Sequence, residues 1–299
     1  MGKDGAEQAS VGAPAATAET RNGKGAKPVV TVITPHDGGA NCSIRQMFKY
    51  RGLIRSMIWR NLRQQFDELA LGFFWATARP LAMAFVFSFI KSRTGANMKV
   101  DLPYMLYFYS GIILWFAFVE ASRGAAMSMV KEAGLLKKIY FPRTIPPLVA
   151  TLLSLYNLSI SAIPLVGFMI WYGVPPGLNL VFLPLVLCVF LLLAYGVGIM
   201  FAALGSLSKD FERLFSIILY VGLFVSPVIY SPEIISNRAQ LIFNLNPMSG
   251  ILLSFRACLF QGYPFPWEQF GYSAGFAVVM YFLGTSMFKK ALTYFLDRM

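Results

Sequence analysis

The sequence is poor in the residues that carry redox and metal chemistry. It contains three cysteines and one histidine among 299 residues. Cys42, Cys188 and Cys258 are scattered, form no CxxC pair and suggest no disulfide framework. His36 stands alone and cannot by itself build a metal site. The composition therefore argues against disulfide, redox and metal centres, and we expect no cofactor on this chain.

Acidic residues are also few, and they form no catalytic cluster. Four of the 14 acids lie before residue 38. Neighbouring acids such as Asp67 with Glu68, and Asp210 with Glu212, have arginine or lysine near them. Membrane enzymes that act on polyprenyl phosphates hold a metal ion with clustered acids, and no DxxD or HxxxE pattern is present. A phosphate-binding GxxxxGK[ST] loop is absent as well. The chain is therefore predicted to be a conduit rather than an enzyme.

Apolar residues dominate what is there. They make up 57% of the chain, charged residues make up only 13%, and the mean hydropathy is +0.58. From Thr144 to Ser208 no charged residue occurs. Soluble domains carry about 25% charged residues, and uncharged runs of about 18 or more residues are typical of membrane-spanning helices. The fold is predicted to be an all-α polytopic membrane protein.

The order of polar and apolar segments divides the chain into three parts. Residues 1–43 contain almost no large apolar side chain, which predicts a disordered cytoplasmic tail. Residues 44–66 combine apolar and basic side chains at helical spacing, which predicts an amphipathic helix in the membrane interface. Residues 67–299 are predicted to form a six-span transmembrane domain. Its spans are 69–90, 103–129, 144–172, 178–207, 214–230 and 269–288.

One apolar stretch differs from a simple span. The segment 231–266 is about as apolar as a span, but it is interrupted by Asn244, Asn246, Pro247 and Gly250. Backbone polar groups cannot face lipid unpaired. The pattern therefore predicts two short re-entrant helices that enter and leave the membrane on one side.

The distribution of charge indicates the orientation. The net charge is +12, and Arg and Lys are concentrated on the side of the two termini, including a basic segment between the second and third spans. Because cytoplasmic loops carry such an excess, both termini are predicted to be cytoplasmic. Topology then accounts for the basic charge, and nucleic acid is not expected as a partner.

The ordered set of short motifs resembles a known family. The motifs are LGFFWATARP, YMLYFYSGIILWFAFVEASRGAA, LLKKIYFPRTIPP, LAYGVGIMFAALGSLSKDFERL, FVSPVIY and LNPMSGILLSFRACL. Over roughly 49–290, the sequence resembles the membrane subunit of type 2 ABC exporters, in the branch that exports O-antigens, capsular polysaccharides and teichoic acids. Each motif is short and apolar, so the order of the set carries the resemblance.

The resemblance implies an assembly and a mechanism. Two copies of the permease, a homodimer, would pair with two copies of a separate cytoplasmic ABC ATPase, which would hold ATP and Mg²⁺. A lipid-linked glycan would enter from the cytoplasmic leaflet of the bacterial inner membrane and leave through a channel between the permeases, surrounded by membrane lipids. The segment 133–143 would contact the ATPase as a coupling segment, and 231–266 would shape the outer mouth.

The implied coupling segment combines apolar, basic and proline residues. Its apolar side chains would fill a groove on the ATPase, its basic ones would face acids, and proline would stop the helix before the next span. The residues predicted for this contact are Leu135, Leu136, Lys137, Lys138, Tyr140, Pro142 and Arg143. A second contact is expected at Lys209 and Asp210. The alternative in both places is a solvated loop.

Charged residues inside the predicted spans are candidate functional groups, because intramembrane charges are costly and usually paired or functional. Arg79 either meets the diphosphate of a lipid carrier or an acidic sugar, or it snorkels to the interface or pairs with an acid such as Asp67 or Glu68. Glu120 and Arg123 are three residues apart and share one helix face. They are predicted to form an intramembrane pair with either a structural or a gating role.

Aromatic residues in the spans have two interpretations. Sugar rings stack on aromatic faces, so a glycan channel would use them, whereas interfacial belts also concentrate aromatic residues. The residues predicted to line the channel are Tyr104, Tyr107, Tyr109, Trp115 and Tyr230.

Two other functions stay open at this point. A type 2 ABC permease for a drug or a small lipid would have similar spans, and sequence separates it poorly from a polysaccharide exporter. A membrane enzyme of lipid-linked sugar metabolism would need an acidic cluster, which this chain lacks.

Overall fold

Helices account for most of the chain that the structure describes. The computed structural model describes residues 50–67, 72–94, 102–138, 141–231 and 243–296. Its α-helices are α1 (Arg51–Asp67), α2 (Gly72–Thr94), α3 (Tyr104–Lys131), α4 (Ala133–Lys138), α5 (Ile145–Trp171), α6 (Leu183–Gly205), α7 (Lys209–Val225), α8 (Pro247–Leu259) and α9 (Trp267–Leu296). A short 3-10 helix, Leu178–Phe182, precedes α6. These residues contain no strand beyond one isolated bridge between Pro176 and Phe260, so the predicted all-α fold is confirmed.

The first described helix overlaps the predicted interfacial helix. The prediction covers 44–66, whereas α1 is Arg51–Asp67; residues 44–49 and the predicted tail lie outside the described residues. Met57 of α1 is buried, while Trp59 is 63% exposed. The helix is therefore two-sided, and its position in a membrane interface stays a prediction.

Four helical segments are long and apolar enough to cross a membrane, counting only the described residues. They are Tyr104–Lys131, Ile145–Trp171, Leu178–Gly205 and Trp267–Ala291. The other two predicted spans correspond to α2, which carries Arg79, Lys91 and Arg93, and to α7, which has 17 residues. The apolar helices indicate a multi-pass membrane protein, and the six-span arrangement stays a prediction.

Helix α7 begins and ends earlier than the apolar run predicts. The run indicated 214–230, whereas the helix is Lys209–Val225. Its N-cap is Ser208, whose hydroxyl oxygen accepts a hydrogen bond from the Asp210 amide at 3.2 Å. Asp210 and Glu212 in the first turn also stabilise this end of the helix, because the helix dipole favours negative charge there. At the other end Ser226 is extended, as expected for a residue before proline.

Helix α3 is the central helix of the bundle. Of its most apolar stretch 78% is buried, against 44% for α5 and 22% for α9. It packs against α2, α5 and α6. Small residues permit these contacts: a Cβ at Gly124 would lie 3.3 Å from Ala150 of α5, and one at Gly198 of α6 would lie 2.7 Å from the Ser122 carbonyl oxygen.

Helices α6 and α9 cross closely at two glycines. A Cβ at Gly284 would lie 2.3 Å from the carbonyl oxygen of Gly196, and a Cβ at Gly196 would lie 2.7 Å from the backbone of Met280. Such backbone contact is possible only without side chains. The crossing attaches the last helix to the bundle.

Helix α8 is too short to cross a membrane. It spans Pro247–Leu259, 13 residues, and Asn246 caps it by accepting a hydrogen bond from the Met248 amide at 3.0 Å. Just after it, Phe260 pairs with Pro176 in the turn between α5 and α6. Helix α8 therefore lies at the end of the bundle where α5 ends. Its re-entrant course stays a prediction, because 232–242 lies outside the described residues.

Candidate functional site

A groove opens at the end of the bundle where α3 ends and α5 begins. Its volume is about 1220 Å³, and it lies among α1, α2, α3, α4 and α5. Its polar lining consists of Arg60, Asn61, Gln64, Gln65, Arg79, Glu120, Arg123, Ser128, Lys131, Glu132, Asn157 and Ser161. Three residues predicted from the sequence, Arg79, Glu120 and Arg123, are therefore brought together in one cavity.

The groove carries more positive than negative charge. Its cations are Arg60, Arg79, Arg123 and Lys131, and its carboxylates are Glu120 and Glu132. In the described part of the chain only Arg60 among these cations forms an ion pair, with Glu132. A concave site with excess unpaired charge of one sign concentrates ions of the other sign. The groove is therefore suited to an anion. No group of three His, Cys, Asp or Glu side chains suited to a metal ion occurs among the described residues.

Arg79 reaches the groove from within α2. Pro80 follows it inside the helix, where proline removes one backbone hydrogen bond. The Arg79 guanidinium carbon lies 5.9 Å from the centroid of the Phe116 ring, a distance at which a cation is attracted to the ring face. The side chain is exposed, so its donors remain accessible from the cavity. Its predicted alternative partner, the side chain of Asp67, lies outside the described part of the structure.

Glu120 and Arg123 both line the groove, and no ion pair joins them among the described residues; their role as an intramembrane pair stays a prediction. Glu120 instead accepts a hydrogen bond from the side-chain amide of Asn157. The side-chain amide of Gln65 in turn donates to the side-chain oxygen Oδ1 of Asn157 at 3.4 Å. Asn157 of α5 therefore binds the Glu120 carboxylate of α3 and the Gln65 side chain of α1, and these two hydrogen bonds connect the three helices.

A second polar contact joins α1 to the end of α3. The Arg60 guanidinium forms an ion pair with Glu132, which is the C-cap of α3. Helix α4 begins at the next residue, Ala133. One wall of the groove is therefore connected directly to the predicted coupling segment.

The aromatic residues predicted to line a channel lie in the core of the chain. Tyr104, Tyr107, Tyr109 and Trp115 are between 0% and 6% exposed. The Tyr104 hydroxyl donates to the Ile229 carbonyl and the Tyr109 hydroxyl to the Ser161 carbonyl, both at 2.9 Å. Tyr230 is half-buried and donates to the Phe224 carbonyl at 2.6 Å. None of the five is among the described residues that line the groove, and a channel-lining role stays a prediction.

The predicted coupling segment contains a short helix that packs on the chain itself. Leu135 and Leu136 of α4 are half-buried. They contact a small apolar cluster built from Met57, Phe141, Ile145 and Val149. These leucines therefore anchor α4 to α1 and α5, and their contact with an ATPase stays a prediction.

The structure describes only some of the remaining residues predicted for coupling. Pro142 and Arg143 are half-buried before α5. Lys137 and Lys138 belong to the last turn of α4, but their side chains lie outside the described part of the structure, as does the whole of Tyr140.

The second predicted contact lies at the start of α7. The Asp210 carboxylate lies 3.6 Å from the Arg213 guanidinium, and the two side chains are 83% and 82% exposed. Such an exposed pair adds little stability and is accessible to a partner. The side chain of Lys209 is outside the described structure.

Two polar side chains in the core were not predicted from the sequence. Arg256 of α8 is 1% exposed and Asn157 of α5 is 7% exposed. The signal for both was present, because Arg256 is the only charged residue in 239–267 and Asn157 is the only amide or charged residue in 145–178. Their partners are distant in sequence and could not be inferred from that signal.

Comparison with known proteins identifies the family. The sequence model of the ABC-2 type transporter family matches residues 52–260. This match covers more than half of the 299 residues and includes every residue that lines the groove. The chain belongs to the ABC-2 type transporter family. The family predicted from the order of the motifs is confirmed, and it is a family of transport subunits rather than enzymes.

Relatives of this ABC-2 transporter chain include proteins named for polysaccharide export. It is 26% identical over 233 residues to the O-antigen export system permease protein RfbA of Klebsiella pneumoniae, covering 77% of this chain and 88% of the relative. It is 24% identical over 250 residues to RfbA of Myxococcus xanthus, covering 83% and 95%. It is 22% identical over 243 residues to the polysialic acid transport protein KpsM of Escherichia coli, covering 79% and 92%.

Proposed function

We propose that this chain is the channel-forming membrane subunit of an ATP-driven exporter for a lipid-linked polysaccharide of the O-antigen or capsule type. It works as a homodimer in the bacterial inner membrane, with both termini in the cytoplasm. Two copies of a separate ABC ATPase bind ATP and Mg²⁺ and supply the energy. The relatives named for O-antigen export and polysialic acid transport support this substrate class.

The observation that carries the proposal is the basic groove. Arg79, Arg123 and Lys131 line it and have no ion-pair partner among the described residues. A lipid-linked glycan carries phosphate where the lipid joins the first sugar, and arginine binds phosphate through two parallel hydrogen bonds. The side-chain amides of Asn61 and Gln64 line the same groove and offer donors and acceptors to sugar hydroxyls.

The size of the groove limits what it would hold. Its volume of about 1220 Å³ is somewhat above the range of small-molecule sites, which run from about 300 to 1,000 Å³. It would accommodate the phosphates and the first sugars of the substrate rather than a polymer. The groove also lies at the end of α3 that the charge pattern predicts to be cytoplasmic. We therefore assign it to substrate entry.

Reconstitution with the ATPase subunit tests this function. The complete transporter is placed in lipid vesicles with a polyprenyl-diphosphate-linked oligosaccharide, and ATP hydrolysis and movement of the glycan across the membrane are measured. The proposal expects the glycolipid to stimulate hydrolysis and to cross only with ATP. Stimulation by a small lipid or a drug, with no response to the glycolipid, would instead favour the alternative permease function.

Substitution of Arg79 tests the role of the groove. Hydrogen bonds to charged groups contribute about 1.5–3 kcal/mol, so Arg79→Ala should weaken the apparent affinity for the glycolipid about ten- to hundredfold. Arg79→Lys should give an intermediate value, because it keeps the charge but loses the planar pair of donors. Arg93→Ala is the matched control, since Arg93 lies on the same helix and is not among the groove residues. Equal affinity in Arg79→Ala and Arg93→Ala, at equal abundance, would refute the assignment.

A further inference from the structure

Arg256 is a fully buried cation near the end of α8. It is 1% exposed and has the largest side chain among the fully buried residues that the structure describes. No carboxylate of those residues lies within ion-pair distance of it. A buried charge is costly unless neighbouring groups replace its water.

Backbone carbonyls and an aromatic ring take the place of a counter-ion. One terminal nitrogen of Arg256 donates to the Pro227 carbonyl at 2.6 Å. The other donates to the Val228 carbonyl at 3.2 Å and the Tyr107 carbonyl at 3.1 Å. Nε donates to the Ser110 hydroxyl oxygen at 3.3 Å. The guanidinium carbon lies 3.5 Å from the centroid of the Tyr107 ring, which attracts a cation.

These contacts hold the turn that follows α7. The carbonyls of Pro227 and Val228 in this turn accept hydrogen bonds from Arg256. The next carbonyl, of Ile229, accepts from the Tyr104 hydroxyl at 2.9 Å. The one after it, of Tyr230, accepts from the Tyr107 hydroxyl at 3.0 Å. Four successive carbonyls of the turn are thus held by side chains of α3 and α8.

A further hydrogen bond attaches the start of the turn to α8. The side-chain amide of Asn246, the N-cap of α8, donates to the Ser226 hydroxyl oxygen at 2.8 Å. The turn is therefore tied to both ends of α8 as well as to α3. Breaking these ties would leave several buried carbonyls unpaired at once, which is costly.

Along its length α7 contacts its neighbours through apolar side chains, of which Phe215, Leu219 and Leu223 are buried. The Phe215 ring stacks on Phe201 of α6 with centroids 4.0 Å apart, and Gly222 faces the Trp115 ring. Much of the remaining surface is exposed, including Tyr220 at 71%. A helix held by directional hydrogen bonds at one end and by non-directional apolar contacts elsewhere can move about the end that is held.

We propose that Arg256 is a positioning residue that holds the turn after α7 on α3 and α8, so that these elements move as one body and α7 pivots about the turn during transport. The turn lies at the opposite end of α3 from the basic groove. During that motion the groove end of α7 would change position while the turn stays attached to α3 and α8. The pivoting of α7 during transport rests on the proposed export function, whereas the attachment of the turn to α3 and α8 by Arg256 does not.

Three variants of the complete transporter test the inference. Arg256→Gln removes the charge, and Arg256→Lys keeps it with fewer and differently placed donors. Gly111→Ala leaves Arg256 intact but displaces it, because the added Cβ would lie 2.5 Å from its nitrogen Nη2 and 3.2 Å from Val228 Cα. Gly167→Ala in α5 is the matched control, since its Cβ would meet nothing within 4 Å.

The first measurement is amide hydrogen exchange. In Arg256→Gln and Gly111→Ala the amides of Ser226 and of 228–231 should exchange about tenfold faster or more, because the turn loses its hydrogen-bonded support; Pro227 has no amide hydrogen. The amides of α6 and α9 should be unchanged, and Arg256→Lys should give an intermediate rate. The second measurement is glycan exported per ATP hydrolysed, which should fall in the same order while KM for ATP stays constant.

Each other outcome contradicts a stated part of the inference. Unchanged exchange in Arg256→Gln and Gly111→Ala at normal abundance would show that Arg256 does not hold the turn. Faster exchange throughout the chain would show that Arg256 contributes only to general stability. Faster exchange of the turn with unchanged export per ATP would contradict the pivoting of α7 during transport. If Arg256→Gln does not accumulate, Gly111→Ala and Arg256→Lys decide by the same measurements. A wild-type complex that exports no glycan would contradict the proposed function, while hydrogen exchange would still decide the structural half.

Discussion

Replacing Gly284 by alanine should weaken the crossing of α6 and α9. The added Cβ would lie 2.3 Å from the carbonyl oxygen of Gly196 and 2.8 Å from a methyl carbon of Ile199. Ordinary contacts between carbon and a carbonyl oxygen are about 3.3–3.6 Å. The oxygen belongs to the backbone of α6 and cannot rotate away. The two helices must therefore separate by about 1 Å at this point.

The expected magnitude is set by two opposing effects. Overpacking of this kind costs about 1–3 kcal/mol, while alanine favours a helix over glycine by up to about 1 kcal/mol. The net loss for Gly284→Ala should be about 1–2 kcal/mol. Gly275→Ala, in the same helix, should have the opposite sign, because its Cβ would meet nothing within 4 Å and only the helix preference changes.

Thermal unfolding of the two purified variants in the same detergent provides the comparison. A change of 1 kcal/mol corresponds to about 2–4 °C for a chain of this size. The unfolding midpoint should fall for Gly284→Ala and stay level or rise for Gly275→Ala. Equal midpoints for the two variants would refute the close backbone contact between α6 and α9.

Further predictions concern the polar contacts and the coupling segment. Arg60→Glu or Glu132→Arg alone should weaken the attachment of α1, and the double charge reversal should restore it, with a coupling energy of about 1 kcal/mol or less for a partly exposed pair. Limited proteolysis of α1 measures this, and a double variant no better than the singles would exclude the ion pair. Asn157→Leu should leave the Glu120 carboxylate without its donor and lower export more than Asn157→Gln; equal export by both would show that the amide is dispensable. Leu136→Ala should loosen α4 from the chain and reduce copurification of the ATPase, and unchanged copurification would make this packing irrelevant to coupling. The purified chain alone should hydrolyse ATP no faster than a detergent blank, and measurable turnover would place the motor on this chain.

The sequence alone was enough to predict the class of fold and the family. In a membrane, backbone groups must pair within helices, so long uncharged runs such as Thr144 to Ser208 have essentially one structural outcome. The order of short apolar motifs then identified the family, which the match over 52–260 confirmed. Arg79, Glu120 and Arg123 could also be selected, because a charge within an apolar span is costly and seldom accidental.

Helix boundaries were predictable only where the limits of the apolar run agree with the capping residues that start and end the helix. The pattern placed the fifth span late, because it measures hydropathy and ignores the Ser208 cap, which starts α7 before the apolar run. The leucines of the coupling segment show a similar limit. Leu135 and Leu136 are apolar residues in a basic segment, and their pattern cannot distinguish packing on a partner from packing on α1 and α5.

The choice of partner for each polar group was decided by the tertiary structure. Glu120 could have paired with Arg123 on its own helix, yet it binds Asn157 of another helix. The aromatic pattern could not show what the hydroxyls of Tyr104 and Tyr107 bind, and in the structure they hold the turn after α7, while a channel-lining role stays a prediction. Arg256 is a single arginine in an apolar run, and its role emerges only when Pro227 and α3 are brought around it. The hydropathy of a segment depends only on its own residues, so the sequence predicts it directly. A buried hydrogen bond needs a donor and an acceptor in contact, and residues distant in sequence come into contact only through the packing of the helices.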